Sequence, residues 1–485
     1  VDSLSEVAPD SLGLRNRVAR IEFDFLPEVV RMELAGMPIN PFIYSLIDRC
    51  HERIISFAAG FEAKYGFKVT QTQKLAALLS ERLGTTIEKT AYFILCFHES
   101  DELVREIINY RTLQKCLGKL GEIMIYNREG RLFPDYMQIG APTGRMAARK
   151  PATQNIPTII KGLMIVPEPG RAIVRIDYPA IELRLAAVIA PEPVFIEVLR
   201  ERGDLHKRTA SIILDKPETE ISKSERKQAK PVNFGFAYGM GAKKFRLNAK
   251  VEYGLDITLE QAISFKNKFL SGYSGLDNWQ KKAAKRLEAS GIIGDPKDFK
   301  NRKYAGFKTS TIYGRKMKVA KYNNALNFPV QGSGADLLKD ACVRAARQFR
   351  ETGIDVKIVC LVHDEIVVET AEEFKEETAA ILAHAMEAAA DEMIRQFKTT
   401  VKPTIITRSG DVVTIDDRDE NNVETVDLAT YDPLDAAGMD DLRKWAYDDS
   451  HEEDDKPTTK EADEIDDDAE TGDTCGEKDQ AQSET

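Results

Sequence analysis

The stretch Ile358-Val359-Cys360-Leu361-Val362-His363-Asp364-Glu365-Ile366-Val367-Val368-Glu369 constrains the fold of this chain more than any other. Two β-branched runs flank a few polar residues, which reads as a β-hairpin with an acid at its tip. A second apolar run, Ala172-Ile173-Val174-Arg175-Ile176-Asp177, also ends in an acid and leads into a helix-like stretch, Tyr178 to Ala186. An aspartate at a strand end is most often a turn former or a helix cap. Two of them, far apart in sequence, are what a two-metal phosphoryl-transfer site requires, with metals about 4 Å apart clamping the attacking and leaving oxygens. Hard oxygen ligands of this kind suit Mg²⁺ or Mn²⁺.

Between the two acids lies Arg226-Lys227-Gln228-Ala229-Lys230-Pro231-Val232-Asn233-Phe234-Gly235-Phe236-Ala237-Tyr238-Gly239. Arg226, Lys230, Phe234 and Tyr238 recur every fourth residue, which on a helix keeps them on one slowly drifting face. Two cations followed by two aromatics along one stripe suit a triphosphate and then a base. Taken alone, the same stripe would read as a solvated face with two core aromatics.

Together the three segments resemble the polymerase motifs of family A DNA polymerases, the group of bacterial polymerase I, and they occur in that family's order. Supporting matches are Met32-Glu33-Leu34-Ala35-Gly36, Thr143-Gly144-Arg145, Gln154-Asn155-Ile156-Pro157, Gly203-Asp204-Leu205-His206 and Asn327-Phe328-Pro329-Val330-Gln331-Gly332. The similarity runs from about residue 20 to about residue 410. It implies an α+β, right-hand polymerase architecture: a palm with an antiparallel sheet, helical fingers and a helical thumb. The expected division is an opening segment and start of the palm over 1–42, the thumb over 43–125, palm with the first catalytic Asp over 126–195, fingers over 196–325, palm with the second catalytic Asp over 326–410, and an acidic, mostly disordered tail over 411–485. Helices are expected over 43–68, 72–84, 99–120, 335–350 and 373–397, and strands over 171–177, 357–369 and 401–408.

The resemblance implies template-directed addition of deoxynucleotides to a primer 3′ end with release of pyrophosphate, in replication or repair, so the expected partners are primer-template DNA and dNTPs. Asp177 and Asp364 are the expected catalytic metal ligands for two Mg²⁺ ions, with Mn²⁺ as the substitute and the backbone carbonyl of Tyr178 as a further ligand. Glu365 is expected as a supporting acid. Arg226 and Lys230 would bind the triphosphate, the fork of Arg and the point charge of Lys both suiting phosphate oxygens, and Lys230 would also protonate the leaving pyrophosphate. His206 and Arg184 are further candidates for that pocket. Phe234 would stack near the incoming nucleotide, Tyr238 at the template position and Glu182 against the sugar. Arg145, Asn327, Gln331 and His363 would touch the primer-template. One departure is Pro179-Ala180, where the family has Ser-Gln; proline is tolerated in the first turn of a helix, the place expected for it here. A second is Ala147-Ala148-Arg149-Lys150 in place of small polar residues.

Charge divides the chain. Of its 485 residues, those from Asp411 onward carry 28 Asp and Glu against 6 Lys and Arg, a net of −22; the preceding 410 carry 51 acids and 62 bases, a net of +11. A basic body suits a polyanionic partner. The tail composition falls short of what a core needs, so it is expected to be dispensable for chemistry, with Leu442 to Tyr447 either a docking element for a protein partner or a chance aromatic pair in a disordered stretch. The six cysteines form no CxxC pair, which suits a reducing, intracellular compartment. Apolar runs such as Phe93 to Phe97 fall far below the roughly 18 residues a membrane span needs, and no membrane role is expected. The chain opens on Val1 with no signal-peptide pattern, where the family's polymerase region begins, so a proofreading or nuclease domain is expected on a longer parent or another chain. The alternatives are a single-subunit RNA polymerase, and a non-catalytic DNA-binding protein derived from a polymerase.

Overall fold

The computed structural model describes residues 9–40, 42–156, 167–293, 303–407, 412–414, 434–435, 438–440 and 442–443. Its centre is a five-stranded antiparallel sheet of β1 (Arg171–Asp177), β2 (Val356–Val362), β3 (Glu365–Ala371), β4 (Thr404–Ile406) and β5 (Val412–Thr414), in the order β2-β3-β1-β4-β5. β2 and β3 form the expected hairpin, and β3 runs antiparallel to β1 from Glu365 opposite Asp177 to Ala371 opposite Arg171. This register brings the first acid level with the hairpin tip.

Side chains alternate across a strand, so the sheet feeds two cores. Ala172, Val174, Ile176, Ile366 and Val368 face a large core shared with helices Tyr322–Thr352, Lys375–Ile394 and Pro9–Ala35. Ile173, Val367 and Ile406 face a second core built with Ile43, Leu46 and Cys50 of helix Phe42–Tyr65 and with Leu113, Cys116, Leu120 and Ile123 of helix Glu102–Ile125. Farther out, the same two helices and helices Thr72–Leu83 and Tyr92–Cys96 enclose a third core around Phe61, Leu75, Leu95 and Val104. The large core continues into a helical lobe of Leu205–Leu214, Lys223–Ala237, Ala242–Tyr253, Leu259–Gly272 and Ser274–Ala289. Among the described residues no helix is long and apolar enough to cross a membrane.

Most elements fall close to their expected places. The exceptions have physical causes. Helix Tyr322–Thr352 begins 13 residues before the expected 335. Pro329, Gly332 and Gly334 weaken the local helix signal, while burial of Leu326, Phe328, Val330 and Ser333 sustains the helix through them. Helix Pro9–Ala35, absent from the expectations, places Ile21, Phe25, Val29 and Met32 in the large core.

The expectation of a disordered tail from residue 411 is corrected where the tail is described. Val412–Thr414 pairs with Thr404–Ile406 as the edge strand. Leu434, Met439 and Leu442 are buried in the second core. Arg53 Nη1 donates to Leu434 O (2.5 Å), Arg443 Nε to Asn109 Oδ1 (2.7 Å) and Tyr92 Oη to Arg443 O (2.9 Å). Average composition hid three apolar residues whose burial in the core shared with helices Phe42–Tyr65 and Glu102–Ile125 outweighs the charge around them. The rest of the expected tail, including 444–485, lies outside the described residues.

Candidate active site

The two acids come together through backbone geometry. Asp177 is the last residue of β1, and Asp364 sits in the turn between β2 and β3, whose first residue, His363, takes a left-handed φ of 55°. Tyr178 N donates to Asp364 O at 3.2 Å, which locks the end of β1 to the hairpin tip. Burial pushes the Asp364 carboxyl up to about 6, with the charge of Asp177 next and that of Glu182 adding to it, while Arg145 opposes the shift. Glu365, opposite Asp177 in the sheet, is paired with Arg175, whose Nη2 stands 2.6 Å from Glu365 Oε1. Among the described residues no set of three or more His, Cys, Asp or Glu is placed to hold an ion. What the site offers is a pair of hard carboxylate donors beside a backbone segment, a donor set that fits Mg²⁺ or Mn²⁺ and not a soft metal.

Glu182 lies in the first turn of helix Ile181–Ile189. The helix starts after Ala180, itself in the left-handed region at φ 48°, so Pro179 precedes the helix instead of occupying its first turn. Glu182 joins three elements. Arg145 Nη2 reaches Glu182 Oε1 at 2.7 Å, and Tyr238 Oη donates to Glu182 Oε2 at 3.2 Å. Tyr238 caps the C-terminal end of helix Lys223–Ala237, so this carboxylate ties the helical lobe to the sheet beside Asp177. Gly239 follows at φ 74°; a Cβ there would stand 2.6 Å from Tyr322 and 2.8 Å from Leu326. Asn327 and Gln331, both half-buried, follow on helix Tyr322–Thr352, four residues apart and so on one face. Gly332 abuts Thr311 and the carbonyl of Thr143, in the loop that carries Arg145. His363 and Arg145 share the wall of a cavity of about 50 Å³ behind the turn.

The cationic residues lie in the N-terminal half of helix Lys223–Ala237. Its N-terminus is set by a reciprocal cap in which Ser222 and Glu225 bond each other's backbone N–H. Arg226 and Lys230 are exposed and Phe234 is half-buried on the expected face. Asp204, the N-cap of helix Leu205–Leu214, accepts from His206 N (2.9 Å) and Lys207 N (3.1 Å) and also from Arg226 Nε. Burial alone would raise the Asp204 carboxyl, but the bond from Arg226 and the backbone donors hold it below its ordinary value. The sequence reading gave Asp204 no role; its position in the match beside His206 was the available signal. The ring of His206 lies 6.0 Å from that of Phe234. Burial, aided by Arg226 and Lys230, pushes its pKa down to about 4 against the pull of Asp204, so the imidazole is neutral at neutral pH. Thr209 donates to Asn233 Oδ1 (2.6 Å), which turns Asn233 Nδ2 toward His206 Nδ1 (2.7 Å) and leaves the His206 proton on Nε2. Arg184 is used elsewhere: it bonds the carbonyls of Pro179 (3.0 Å) and Lys398 (3.4 Å) and covers Phe397.

The site residues therefore form two groups, one at the C-terminal end of helix Lys223–Ala237 and one along its length. Asp177, Asp364, Glu182, Arg145 and Tyr238 lie at the sheet, and Asp204, His206, Arg226, Lys230 and Phe234 lie along the outer helix. Eight residues separate Lys230 from Tyr238, roughly 12 Å of helix rise, a span suited to an extended nucleotide.

Comparison with known proteins bears on the family of the chain. The family model described as DNA polymerase family A matches residues 47–410. DNA polymerase I of Aquifex aeolicus is 32% identical over 400 residues, covering 81% of this chain and 67% of that protein. The thermostable DNA polymerase I of Thermus thermophilus is 29% identical over 388 residues, covering 78% of this chain and 42% of that one. The chain thus spans about two thirds of one relative's length and less than half of the other's. In fold it is similar to the polymerase domain of Pol1 from M. smegmatis, solved in complex with DNA primer-template and dNTP, at a TM-score of 0.67 and 21% identity over 80% of this chain and 71% of that one. With three quarters of its length inside the family model and 32% identity to the Aquifex relative over 400 aligned residues, the chain belongs to DNA polymerase family A.

Proposed function

We propose that this chain is a template-directed DNA polymerase that joins a deoxynucleotide to a primer 3′ end and releases pyrophosphate, in replication or repair. The observation that carries the reading is the meeting of Asp177 and Asp364 at one end of the sheet. Asp177, Asp364 and the carbonyl of Tyr178 would hold two Mg²⁺ ions, or Mn²⁺ in their place. When bound, such ions lower the pKa of the attacking hydroxyl and neutralise charge on the triphosphate. Arg226 and Lys230 bind the triphosphate, and Lys230 hands a proton to the leaving pyrophosphate. His206, being neutral, contributes an Nε2–H donor and no charge. Phe234 covers the incoming nucleotide, and Tyr238 holds the template position. Glu182, fixed by Arg145 and Tyr238, fills the space beside C2′ and excludes a 2′-hydroxyl. Arg145, Asn327, Gln331 and His363 line the primer-template, where minor-groove acceptors are common to correct pairs.

In this reading the thumb covers 43–125, the fingers 196–325, and the palm 126–195 and 326–410 with the opening segment 1–42. The test is primer extension with Mg²⁺ and either dNTPs or rNTPs, alongside DNA binding. Asp177→Ala and Asp364→Ala should each abolish extension while retaining DNA binding. Near-native single-turnover rates in either variant would overturn the assignment, and a native preference for rNTPs would favour the RNA polymerase alternative.

A further inference from the structure

The fingers and the thumb touch each other. Helix Ala242–Tyr253 of the fingers inserts Val251, buried, and Leu247, partly buried, into the thumb's own core beside Leu95, Leu103 and Val104. Around this apolar joint the guanidinium of Arg246 lies over the ring of Phe97 at 5.4 Å, and Lys250 Nζ stands 3.9 Å from Glu99 Oε1. Between the two elements is a cavity of about 350 Å³ walled by Phe93, Phe97 and His98 on one side and Lys243, Arg246 and Leu247 on the other. The thumb side is braced from behind by the C-terminal segment, where Arg443 bonds both Tyr92 and Asn109.

This contact completes a circuit. From the sheet it passes to helix Ile181–Ile189, then through Glu182 and Tyr238 to helix Lys223–Ala237. Helix Ala242–Tyr253 packs on that helix and meets Tyr92–Cys96, which packs on Glu102–Ile125. Leu113, Cys116, Leu120 and Ile123 of this last helix return to the sheet through Ile173 and Val367. Asp177 and Asp364 lie at the sheet end of the circuit. We propose that the joint between residues 92–99 and 243–251 closes the polymerase cleft into a ring, so that bound DNA is encircled and a strand without a free end enters only when the joint opens. The inference rests on the cleft being the DNA site of a polymerase. The joint suits such a gate. It is small, and its ionic and cation–π contacts are partly exposed and weaken with salt, so it can open without unfolding either lobe.

The experiment uses the full chain with Glu99→Cys and Lys250→Cys joined by a flexible, reducible bis-methanethiosulfonate linker. The single-cysteine variants control for reaction at native thiols. Linking is read from gel mobility and does not depend on activity. Linked before DNA is added, the enzyme should load onto a primed single-stranded circle at least tenfold more slowly, and reduction should restore loading. Linked after loading, it should stay on the circle through a high-salt wash and leave once the circle is cut. Phe97→Ala, which weakens the joint without thiols, should shorten the product made per binding event several-fold and leave single-turnover incorporation within twofold. The proposal is overturned if the two thiols label singly but never link, or if the linked enzyme loads freely and washes off circles. Retention on circles by an enzyme that extends no primer would support encirclement and refute the polymerase reading, so the two failures are separable.

Discussion

Asp204 performs two tasks that a single substitution separates. One carboxylate oxygen caps helix Leu205–Leu214 and the other holds the guanidinium of Arg226, the residue proposed to grip the incoming triphosphate. Before Arg226 serves a phosphate in full, it gives up this bond. Asp204→Asn preserves the cap, since Asn caps a helix as well as Asp, and removes the charge. Side-chain exposure of 47% for Arg226 and 34% for Asp204 makes this a half-exposed ion pair, worth about 1 kcal/mol or less. Freed of it, Arg226 should bind nucleotide up to about fivefold more tightly, by the same free energy. Single-turnover extension against dNTP concentration should therefore show a two- to fivefold fall in the apparent Kd with the maximal rate within twofold of native. Arg226→Ala should weaken binding, and adding Asp204→Asn to it should give no further gain, because the two residues then have nothing to exchange. Weaker nucleotide binding in Asp204→Asn would refute the reasoning and make Asp204 a partner that orients Arg226 instead of a competitor. A gain that persists without Arg226 would refute it as well.

Lys230→Ala should lower the maximal incorporation rate by about a hundredfold or more, the range seen when one transition-state charge partner is lost; weaker DNA binding with normal incorporation at saturating dNTP would make it a backbone contact. Glu182→Ala removes the carboxylate that Arg145 and Tyr238 share, and competitive incorporation should show a sharply lower preference for dNTPs over rNTPs; an unchanged ratio would place the sugar gate elsewhere. Leu442→Ala, at a fully buried position in the C-terminal segment, should destabilise the second core by about 2–5 kcal/mol, read as lost hydrogen-exchange protection in helices Phe42–Tyr65 and Glu102–Ile125; native protection there would mean that the segment adds nothing.

The sequence by itself determined the strands, the hairpin, the acids at their ends and the stripe of Arg226, Lys230, Phe234 and Tyr238. Each of these is written in local period, two for a strand and near four for one face of a helix, and local period survives whatever packs around it. It also marked Glu182 and Arg145 as site residues through a match of motifs, without the hydrogen bond that joins them. The tertiary structure alone decided the rest. The burial of Leu434, Met439 and Leu442 in an otherwise acidic stretch, the capture of Arg226 by Asp204, the neutral state of His206 and the joint between Phe97 and Arg246 all pair residues from separate elements. Such pairs leave no period in either partner. Burial also depends on which surfaces meet, and a charged average conceals a few apolar side chains until the fold supplies a core to receive them.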